Sequence, residues 1–332
     1  MPDGIIAETW EITDHGDDVS IVKNGPLAGR SLRELVRDHG RAILGTREPR
    51  SAAGGFPLLI KFLDAQRTLG MQVHPDDQYA AANEPGENGK TEAWYVIEAK
   101  PGAVLYCGNV PGLTREKLEA AIADGNPQRC MQAVPVAPGD FIYVPAGRMH
   151  AIGEGILVYE PQQSCNLTYG PFGRPGDDAE ATKRRIRKFV EACHLEDLGD
   201  QRIPSVRLSY GENERSFLMA SRYFAVEKLT LRSQWHQAMP GGRFLATSVL
   251  AGAARLHHRL GVETVRMGES YLAPAGMGDF TIEPEPECEL ITTWVPDLVE
   301  DVIKPIRALG VPTSAIAALG GPGAANDVVR LL

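Results

Sequence analysis

The chain has few cysteines, no long apolar run and no excess of positive charge. Its five cysteines, at positions 107, 130, 165, 193 and 288, are odd in number and form no C-x-x-C pair, so neither a disulfide framework nor a thiolate zinc site is indicated. No apolar run approaches the length that spans a bilayer. The opening MPDGIIAETW has neither a basic n-region nor an apolar h-region. We therefore expect a cytoplasmic protein without a membrane partner.

Net charge and length limit the class of protein further. The chain carries 34 Lys and Arg residues against 43 Asp and Glu residues, a net charge of -9, which disfavours nucleic acid as the main partner. An anionic small molecule stays possible, because the local charge of a pocket decides whether it binds. At 332 residues the chain is too long for most single hydrophobic cores, so two domains are expected.

Three segments carry the signals of helices. SLRELVRDHGRAILG begins with Ser31 and Glu34 in capping-box spacing, and LTREKLEAAIADG begins at Thr114 as a helix cap. DDAEATKRRIRKFVEACHLEDL has acids at its start and apolar residues at helical spacing. Its short basic run, Lys183 to Lys188, is interpreted as a solvated helix face.

The rest of the chain is made of short apolar segments between Pro and Gly residues. Examples are FPLLIKFL, AWYVIEA, DFIYVPAG, GILVYEPQQ and FAVEKLTL, followed by RFLATSVLAG, ARLHHRL and ECELITTWV as separate segments. Many short strands at near-even spacing, with turn residues between them, are typical of jelly-roll barrels. We therefore predict a mainly β protein with two jelly-roll barrels and a few short helices.

One turn occurs twice, with a histidine in the first copy only. The stretch GDFIYVPAGRMHAI (139–152) returns as GESYLAPAGMGDFTI (268–282), where Asp279 stands in the place of His150. The pattern Gly-x5-Pro-x-Gly-x2-His of the first copy resembles the second conserved motif of the cupin superfamily, in which the histidine points into the barrel at a metal. We expect the second copy to have kept the fold and lost the metal.

Two further segments supply candidate ligands for that metal. Gln72 and His74 are two residues apart, which on a strand places both side chains on one face. Glu92 opens the next strand, where an inward carboxylate is costly unless it is paired or coordinated. A lone histidine after a Pro-Gly turn is more often structural, but three converging segments favour coordination. Gln72, His74, Glu92 and His150 suit zinc, while iron and manganese stay open.

The order of these segments resembles one enzyme family. Q-x-H-P, G-K-T-E and P-A-G-x-x-H follow one another as in the class I mannose-6-phosphate isomerases, above all the short bacterial form. The resemblance implies an enzyme with one Zn2+ per chain that interconverts mannose 6-phosphate and fructose 6-phosphate through a cis-enediol. Its partner would be a small-molecule sugar phosphate, and Lys90 would lie in the pocket near it. Without the resemblance, Lys90 would be interpreted as an exposed loop lysine.

With this resemblance, the two predicted barrels take different roles. We predict an N-terminal catalytic cupin domain with the metal site at 1–176 and a helical linker at 177–216. A degenerate C-terminal cupin domain without metal is predicted at 217–332. The oligomeric state stays open.

The chain departs from the family pattern at two glycines. Gly70 stands where the family usually has a serine, and Gly170 stands where it carries an arginine regarded as catalytic. Arg174, four residues later in a Gly-Pro-rich loop, is predicted to replace that arginine and is, with Lys90, a candidate catalytic residue. The candidate cations for a phosphate group are Lys61, Arg67, Arg148 and Arg174.

These departures keep other functions open. The chain is alternatively an isomerase or epimerase of another sugar, or a non-catalytic sugar-binding cupin that retains its metal. The iron oxygenase chemistry of many cupins is a more distant alternative. Substrate profiling distinguishes a mannose-6-phosphate isomerase from an enzyme that acts on a sugar without a phosphate. Only a phosphosugar enzyme loses most of its catalytic efficiency when the phosphate is removed from the substrate.

Overall fold

The protein divides into two compact units. The computed structural model describes residues 7–332. The first unit comprises residues 7–9 and Lys61–Arg202, and the second comprises Trp10–Ile60 and Ile203–Leu332. Strands predominate in both units, which confirms the mainly β prediction. The closure of the sheets into two jelly-roll barrels stays a prediction, as do the domain bounds proposed from the sequence.

Most strands are short, and two in the second unit are long. In chain order they are β1 (Glu8–Ile12), β2 (Asp14–His15), β3 (Asp18–Val19), β4 (Leu58–Ala65), β5 (Glu92–Ala99), β6 (Val104–Asn109), β7 (Met131–Pro135), β8 (Phe141–Val144), β9 (His150–Ile152), β10 (Ile156–Gln163), β11 (Val206–Tyr210), β12 (Asn213–Ala220), β13 (Ala225–Leu231), β14 (Trp235–Gln237), β15 (Leu245–His258), β16 (Gly261–Arg266), β17 (Ser270–Ala273) and β18 (Phe280–Trp294).

Helices are few and short. The α-helices are α1 (Leu32–Leu44), α2 (Asp77–Asn83), α3 (Arg115–Ala123), α4 (Ala179–Ala192), α5 (Lys304–Ala308) and α6 (Thr313–Ala318). A π-helix spans Leu298–Ile303, and single 3-10 turns span Gly25–Leu27, Pro127–Cys130, Ala275–Met277, Gly323–Ala325 and Val329–Leu331. Among residues 7–332, no helix is long and apolar enough to cross a membrane.

The first unit contains most of two sheets. Five strands pair in the order β1-β4-β10-β5-β8, and three more pair in the order β7-β6-β9. Both sheets contribute apolar side chains to one buried cluster, which includes Trp94, Leu105 and Ile142. Both faces of the central strands are largely covered, since every residue of β8 and the first five residues of β5 are buried. Glu92 projects from the same face of β5 as Trp94, because the two residues are two positions apart on the strand.

Helices α3 and α4 confirm two of the helix predictions. Thr114 caps α3 by accepting a hydrogen bond from Lys117 N, and Asp178 caps α4 by accepting one from Ala181 N. Phe189 of α4 is buried in a second apolar cluster of this unit. Helix α4 ends at Ala192, before the end of the segment predicted to be helical. Cys193, the next residue, has an extended backbone conformation.

The second unit is a larger antiparallel sheet with helix α1. Its strands follow the path β11-β12-β13-β18-β15-β16, with β14 paired to β18 and β17 paired to β15. Segments that the sequence separated, RFLATSVLAG and ARLHHRL, lie in the single strand β15, where register shifts next to Gly252 absorb the break. Helix α1 begins at the predicted capping box, since Ser31 and Glu34 hydrogen-bond reciprocally.

The segment 177–216 contains more than a helical link. Helix α4 lies within it and belongs to the first unit, whereas β11 and the beginning of β12 pair with each other in the sheet of the second unit. The hairpin formed by β11 and β12 turns at Tyr210–Asn213, within the segment that was predicted to be a helical linker. Propensity alone did not separate these strands from a linker, because β12 also pairs with β13, which lies outside this segment.

Candidate metal centre and active site

Three of the four predicted ligands meet in the interior of the first unit. His74, Glu92 and His150 each offer a ligand atom, and these atoms lie within 4.8 Å of one another. Their exposed fractions are 1%, 0% and 0%. Glu92 Oε1 lies 3.2 Å from His150 Nε2, and Glu92 Oε2 lies 3.4 Å from His74 Nε2. The fold therefore assembles a buried cluster of two imidazoles and one carboxylate from segments far apart in the chain.

Strand starts and short bridges fix the positions of these side chains. Glu92 is the first residue of β5 and His150 is the first residue of β9. Gln72 forms an isolated antiparallel bridge with His150, with reciprocal backbone hydrogen bonds of 2.9 and 3.0 Å. The next residue, Val73, bridges Tyr169 in the same way. Gln72 and His74 therefore project to the same side, as predicted from their spacing.

The turn before His150 requires a glycine at its centre. Gly147 has φ of +85°, and a Cβ added there would lie 2.4 Å from the His194 ring. Its N–H donates to His74 O at 2.8 Å. The repeated Pro-Ala-Gly turn is thus held against the segment that carries His74, which explains why its glycine accompanies the ligand histidine.

Backbone carbonyls fix the tautomer of both imidazoles. His74 Nδ1 lies 2.7 Å from Leu167 O, and His150 Nδ1 lies 2.8 Å from Arg148 O. A carbonyl only accepts hydrogen bonds, so each Nδ1 carries the proton and each Nε2 presents its lone pair to the cluster. This is the arrangement found around histidines that bind metals, whose second nitrogen is held by an acceptor.

The charges of the cluster suit a cation. Burial lowers the pKa of His74 to about 3, assisted by the positive charge of Lys90, and burial also lowers the pKa of His150. Burial alone would raise the pKa of Glu92, but Lys90 and the two imidazoles outweigh it and hold that pKa well below its ordinary value. At neutral pH the cluster is therefore an anionic carboxylate between two neutral imidazoles, with all ligand atoms ready for coordination.

Several polar atoms here have no hydrogen-bond partner among the described residues. They are His74 Nε2, both carboxylate oxygens of Glu92 and Gln162 Oε1, although Glu92 Oε2 is ion-paired with Lys90. Gln162 lies directly opposite Glu92 in the β5–β10 ladder, so the two side chains share a face. Leaving buried acceptors unpaired is unfavourable by about 1–3 kcal/mol for each group. A bound metal or a polar ligand would supply the missing partners.

The fourth predicted ligand adjoins the cluster through its amide. Gln72 Nε2 lies 3.0 Å from His150 Nε2 and donates to it, given the tautomer fixed by Arg148 O. Coordination of a metal by Gln72 requires the amide to present its oxygen instead of its nitrogen, which a half-turn of the group achieves. Gln72 therefore lies where a metal ligand would lie, but its amide is turned so that the nitrogen donates to His150.

Lys90 is buried, unlike an ordinary loop lysine. It is 4% exposed, and its Nζ lies 3.2 Å from Glu92 Oε2. Burial alone would lower the pKa of Lys90, but the charges of Glu92 and Glu160 outweigh that effect and raise it. The side chain is thus a fixed ammonium ion beside the cluster, suited to stabilising negative charge.

The structure does not bring Arg174 to the cluster. Arg174 is exposed, and its backbone N–H donates to Asp177 Oδ2 at 2.8 Å in the loop before α4. Gly170 has room for a side chain, since an added Cβ would meet only Met71 O, at 3.6 Å, and nothing lies within 4 Å of a Cβ added at Gly70. Packing therefore does not force either departure from the family pattern.

The catalytic role of Arg174 stays a prediction, and it can be tested directly. If the loop brings Arg174 to bound substrate, Arg174→Ala should lower kcat by about 10²–10³-fold, the effect of losing one donor to a developing oxyanion. Steady-state kinetics on the purified variant measure this. An unchanged kcat would exclude the arginine from the reaction. The exposed Arg129 offers a matched control, because Arg129→Ala removes the same charge from the 3-10 turn at Pro127–Cys130 of this unit.

The candidate phosphate-binding cations differ in their surroundings. Arg148 is 2% exposed and donates to Asn109 Oδ1 at 3.3 Å and to the carbonyl oxygens of His194 and Glu196. These contacts occupy its guanidinium inside the fold, so it acts as a structural donor. Arg67 is exposed, and Lys61 is buried with its Nζ 3.6 Å from Glu160 Oε1.

Sequence reasoning missed a second buried layer behind the cluster. The Trp94 ring lies edge-on to His150, with centroids 5.4 Å apart, and Trp94 Nε1 donates to Glu160 Oε2 at 2.8 Å. Burial, together with the charge of Glu92, raises the pKa of Glu160, against the opposing charge of Lys61. The available signal was a carboxylate inside the otherwise apolar run ILVYEP, which has to be paired when it is buried.

The equivalent turn in the second unit has different chemistry. Asp279 Oδ1 accepts a hydrogen bond from Met239 N at 2.7 Å, and Asp279 Oδ2 lies 3.4 Å from His236 Nε2. Both side chains are more than half exposed, at 54% and 65%. Asp279 therefore stabilises a surface loop, and the absence of a metal from this copy stays a prediction.

Two segments of the chain match known protein families. Residues 2–100 match the family described as phosphomannose isomerase type I, catalytic domain, and residues 213–295 match mannose-6-phosphate isomerase, cupin domain. The chain is 35% identical over 286 residues to the probable mannose-6-phosphate isomerase GmuF of Bacillus subtilis, covering 85% of this chain and 88% of that protein. It is 37% identical over 277 residues to the mannose-6-phosphate isomerase of Streptococcus mutans, covering 82% and 84%.

A solved structure has the same fold. The crystal structure of the mannose 6-phosphate isomerase of Bacillus subtilis aligns with a TM-score of 0.75 at 32% identity, over 86% of this chain and 89% of that one. The mainly β fold and the buried His–Glu–His cluster define this protein as a metal-binding cupin. The sequence relationships are more specific. The chain belongs to the type I mannose-6-phosphate isomerase family, which confirms the resemblance and the prediction of an isomerase.

Proposed function

We propose that this protein is a zinc-dependent isomerase that interconverts mannose 6-phosphate and fructose 6-phosphate through a cis-enediol. The observation that carries the proposal is the fully buried cluster of ligand atoms on His74, Glu92 and His150, in which His74 Nε2 and the Glu92 carboxylate oxygens have no hydrogen-bond partner among the described residues. Family membership supports the reaction. The cytoplasmic location, the single ion per chain and the absence of nucleic-acid and membrane partners remain predictions.

The donor set fits zinc. Two neutral imidazole nitrogens and one carboxylate are the ligands of many catalytic zinc sites, which keep a further position open. Gln72, with its amide oxygen turned inward, would complete the set proposed from the sequence. Zinc bound here would polarise the oxygens on C1 and C2 of the sugar as a Lewis acid. Manganese and iron accept the same donors, so metal analysis has to decide between them.

The protein residues handle charge and orientation. Transfer of the carbonyl from C1 to C2 removes the proton on C2, places negative charge on oxygen and returns a proton to C1. Lys90 is an ammonium ion held 3.2 Å from Glu92 Oε2, so it would stabilise that oxygen charge without rearranging. Glu92 and the two imidazoles would fix the position of the metal next to the reacting carbons. Burial of the cluster excludes water from them.

The phosphate group requires a separate cation. Arg148 is committed to internal acceptors, which leaves Lys61, Arg67 and Arg174 as the proposed candidates. Lys61 is the only one of these three that is buried in the unit that carries the cluster. Its ammonium group lies 3.6 Å from Glu160 Oε1 and 3.8 Å from Glu8 Oε2, so a bound phosphate would have to compete with these carboxylates for it.

Turnover with and without metal tests the proposal. The purified protein should convert mannose 6-phosphate to fructose 6-phosphate, lose this activity after chelation and regain it with zinc. Replacing the substrate with mannose should lower kcat/KM by at least about 100-fold, because binding energy from the phosphate also supports the transition state. A coupled assay that detects the 6-phosphate product measures the first reaction, and chromatography of the sugars measures the second.

Gly170 supports a second candidate function. A Cβ at this position is sterically permitted, yet the chain lacks the arginine of the family pattern, so a different sugar, with or without a phosphate, would suit the altered site. Activity on another sugar with none on mannose 6-phosphate would establish that alternative. A metal-loaded protein that binds sugars but converts no hexose would instead identify a non-catalytic cupin.

A further inference from the structure

Three consecutive backbone N–H groups before Glu92 are each held by a specific acceptor. Gly89 N donates to Asp77 Oδ1 at 2.9 Å, and Lys90 N donates to Pro75 O at 2.9 Å. Thr91 N donates to Gln163 Oε1 at 2.9 Å. This segment lies outside the helices and outside the β5 ladder, so these bonds replace those of regular structure. They fix the backbone that carries Lys90.

Asp77 links two of these contacts. Its Oδ1 accepts hydrogen bonds from Gly89 N and also from Gln163 Nε2, at 3.0 Å. Gln163 is the last residue of β10, and its N–H donates to Thr91 O at 3.1 Å. One carboxylate oxygen thus connects the beginning of α2, the end of β10 and the segment 89–91. We call Asp77 and Gln163, with their contacts to this segment, the clamp.

Packing shows that the clamp closes tightly on the segment. A Cβ added at Gly89 would lie 2.4 Å from Asp77 N and 2.6 Å from Asp76 C. No side chain fits at that distance without moving the backbone, so the first residue of the G-K-T-E motif has to be a glycine. The segment 89–91 is also attached to the Pro-Ala-Gly turn before His150, because Ala146 N donates to Thr91 Oγ1 at 3.3 Å.

We propose that Asp77 is a positioning residue that, with Gln163, fixes Lys90 relative to Glu92. The inference rests on the proposed function, because it assigns Lys90 a place in that reaction. Asp77 is not in the buried His–Glu–His cluster, so we assign its effect on the reaction to the segment that it holds. Misplacement of a catalytic group by about 1 Å is sufficient to lower a rate by about 10²-fold.

Two substitutions of Asp77 test its role. Asp77→Ala removes both hydrogen bonds, and we expect kcat to fall by about 10- to 100-fold with KM changed by less than about threefold. Asp77→Asn keeps an oxygen in the Oδ1 position and should restore most of the wild-type kcat. Gln163→Ala should resemble Asp77→Ala, and the double variant should be no slower than the slower single variant, since both side chains act through one set of contacts.

Asp76→Ala provides the matched control for damage to the helix. Asp76, and not Asp77, caps α2 by accepting from Tyr79 N at 2.7 Å. Loss of this cap destabilises the helix while leaving the clamp in place, so kcat should stay within about threefold of wild type. Equal losses of kcat in Asp76→Ala and Asp77→Ala would reduce Asp77 to a structural residue and overturn the proposal. So would loss of the metal from Asp77→Ala.

Hydrogen–deuterium exchange gives a readout that is independent of activity. In the metal-loaded protein, amides of the peptide covering 85–92 should exchange more slowly in wild type and Asp77→Asn than in Asp77→Ala. Unchanged exchange in Asp77→Ala would show that the clamp does not hold the segment. If wild type has no isomerase activity but the exchange pattern is as expected, the proposed function fails while the clamp stands.

Discussion

Replacing His150 with alanine is expected to remove the bound metal and nearly all turnover of mannose 6-phosphate. His150 supplies one of the two imidazole nitrogens of the cluster, at 3.2 Å from Glu92 Oε1. Loss of a residue that only supports a metal ligand weakens metal binding by about 10–100-fold, so loss of a ligand should weaken it by more than about 100-fold. Metal content after dialysis, measured by mass spectrometry, and kcat report the two effects.

A second variant and a control separate this effect from unfolding. Glu92→Gln keeps the size of the side chain, removes its charge and should also lose the metal. His257→Ala removes a histidine that pairs with Glu283 on the surface of the second unit, at 2.7 Å. That variant should retain both metal and turnover. A His150→Ala protein that still binds a full equivalent of metal would contradict the assignment of the site.

The His150 site was accessible to sequence reasoning because its signals are local. A Pro-Gly turn followed by histidine, two residues at strand spacing and an acid at a strand start are each visible in a few letters of sequence. The capping box at Ser31 and Glu34 could be predicted for the same reason, since both partners lie in one helical turn. Local sequence identifies each of the candidate metal ligands separately, whereas the pairing of distant segments brings them together.

Features that depend on strand pairing could not be predicted in this way. Glu160 and Trp94 are on β10 and β5, and their hydrogen bond depends on which strands become neighbours. The sequence predicted two strands where the structure has the single strand β15. A glycine such as Gly252 occurs both in turns and in β-bulges, and the sequence alone does not distinguish the two. A period of two residues identifies the face of a strand but not its partner or its register.

Long charged side chains were the least predictable part of the site. Lys90 looks like an exposed loop lysine in isolation, yet the contacts of Gly89 and Thr91 draw its backbone inward. Arg148 was a candidate for the phosphate, and the fold directs it to internal carbonyls instead. The direction of a flexible side chain follows from the acceptors that surround it, and those come from distant segments.

Replacing Lys90 with methionine is expected to lower kcat by about 10²–10³-fold while the metal stays bound. Methionine is unbranched and apolar, so it fills most of the space of the lysine side chain and removes its charge. The ammonium group would act on negative charge that develops in the enediolate, and removal of one such group costs about 2.7–4 kcal/mol in the transition state. KM should change less than kcat, because the ground state carries less charge at that oxygen.

The metal content of the Lys90→Met protein decides how this result is interpreted. Lys90 also neutralises Glu92 in the metal-free chain, and its loss would leave the carboxylate buried without that cation. A bound metal compensates the same charge, so the metal-loaded variant should be folded and slow. Lys100→Met, at an exposed lysine just after β5, should match wild type in rate and metal. A Lys90→Met variant that loses its metal would make the lysine a support of the site, whereas one with a full kcat would remove it from the reaction.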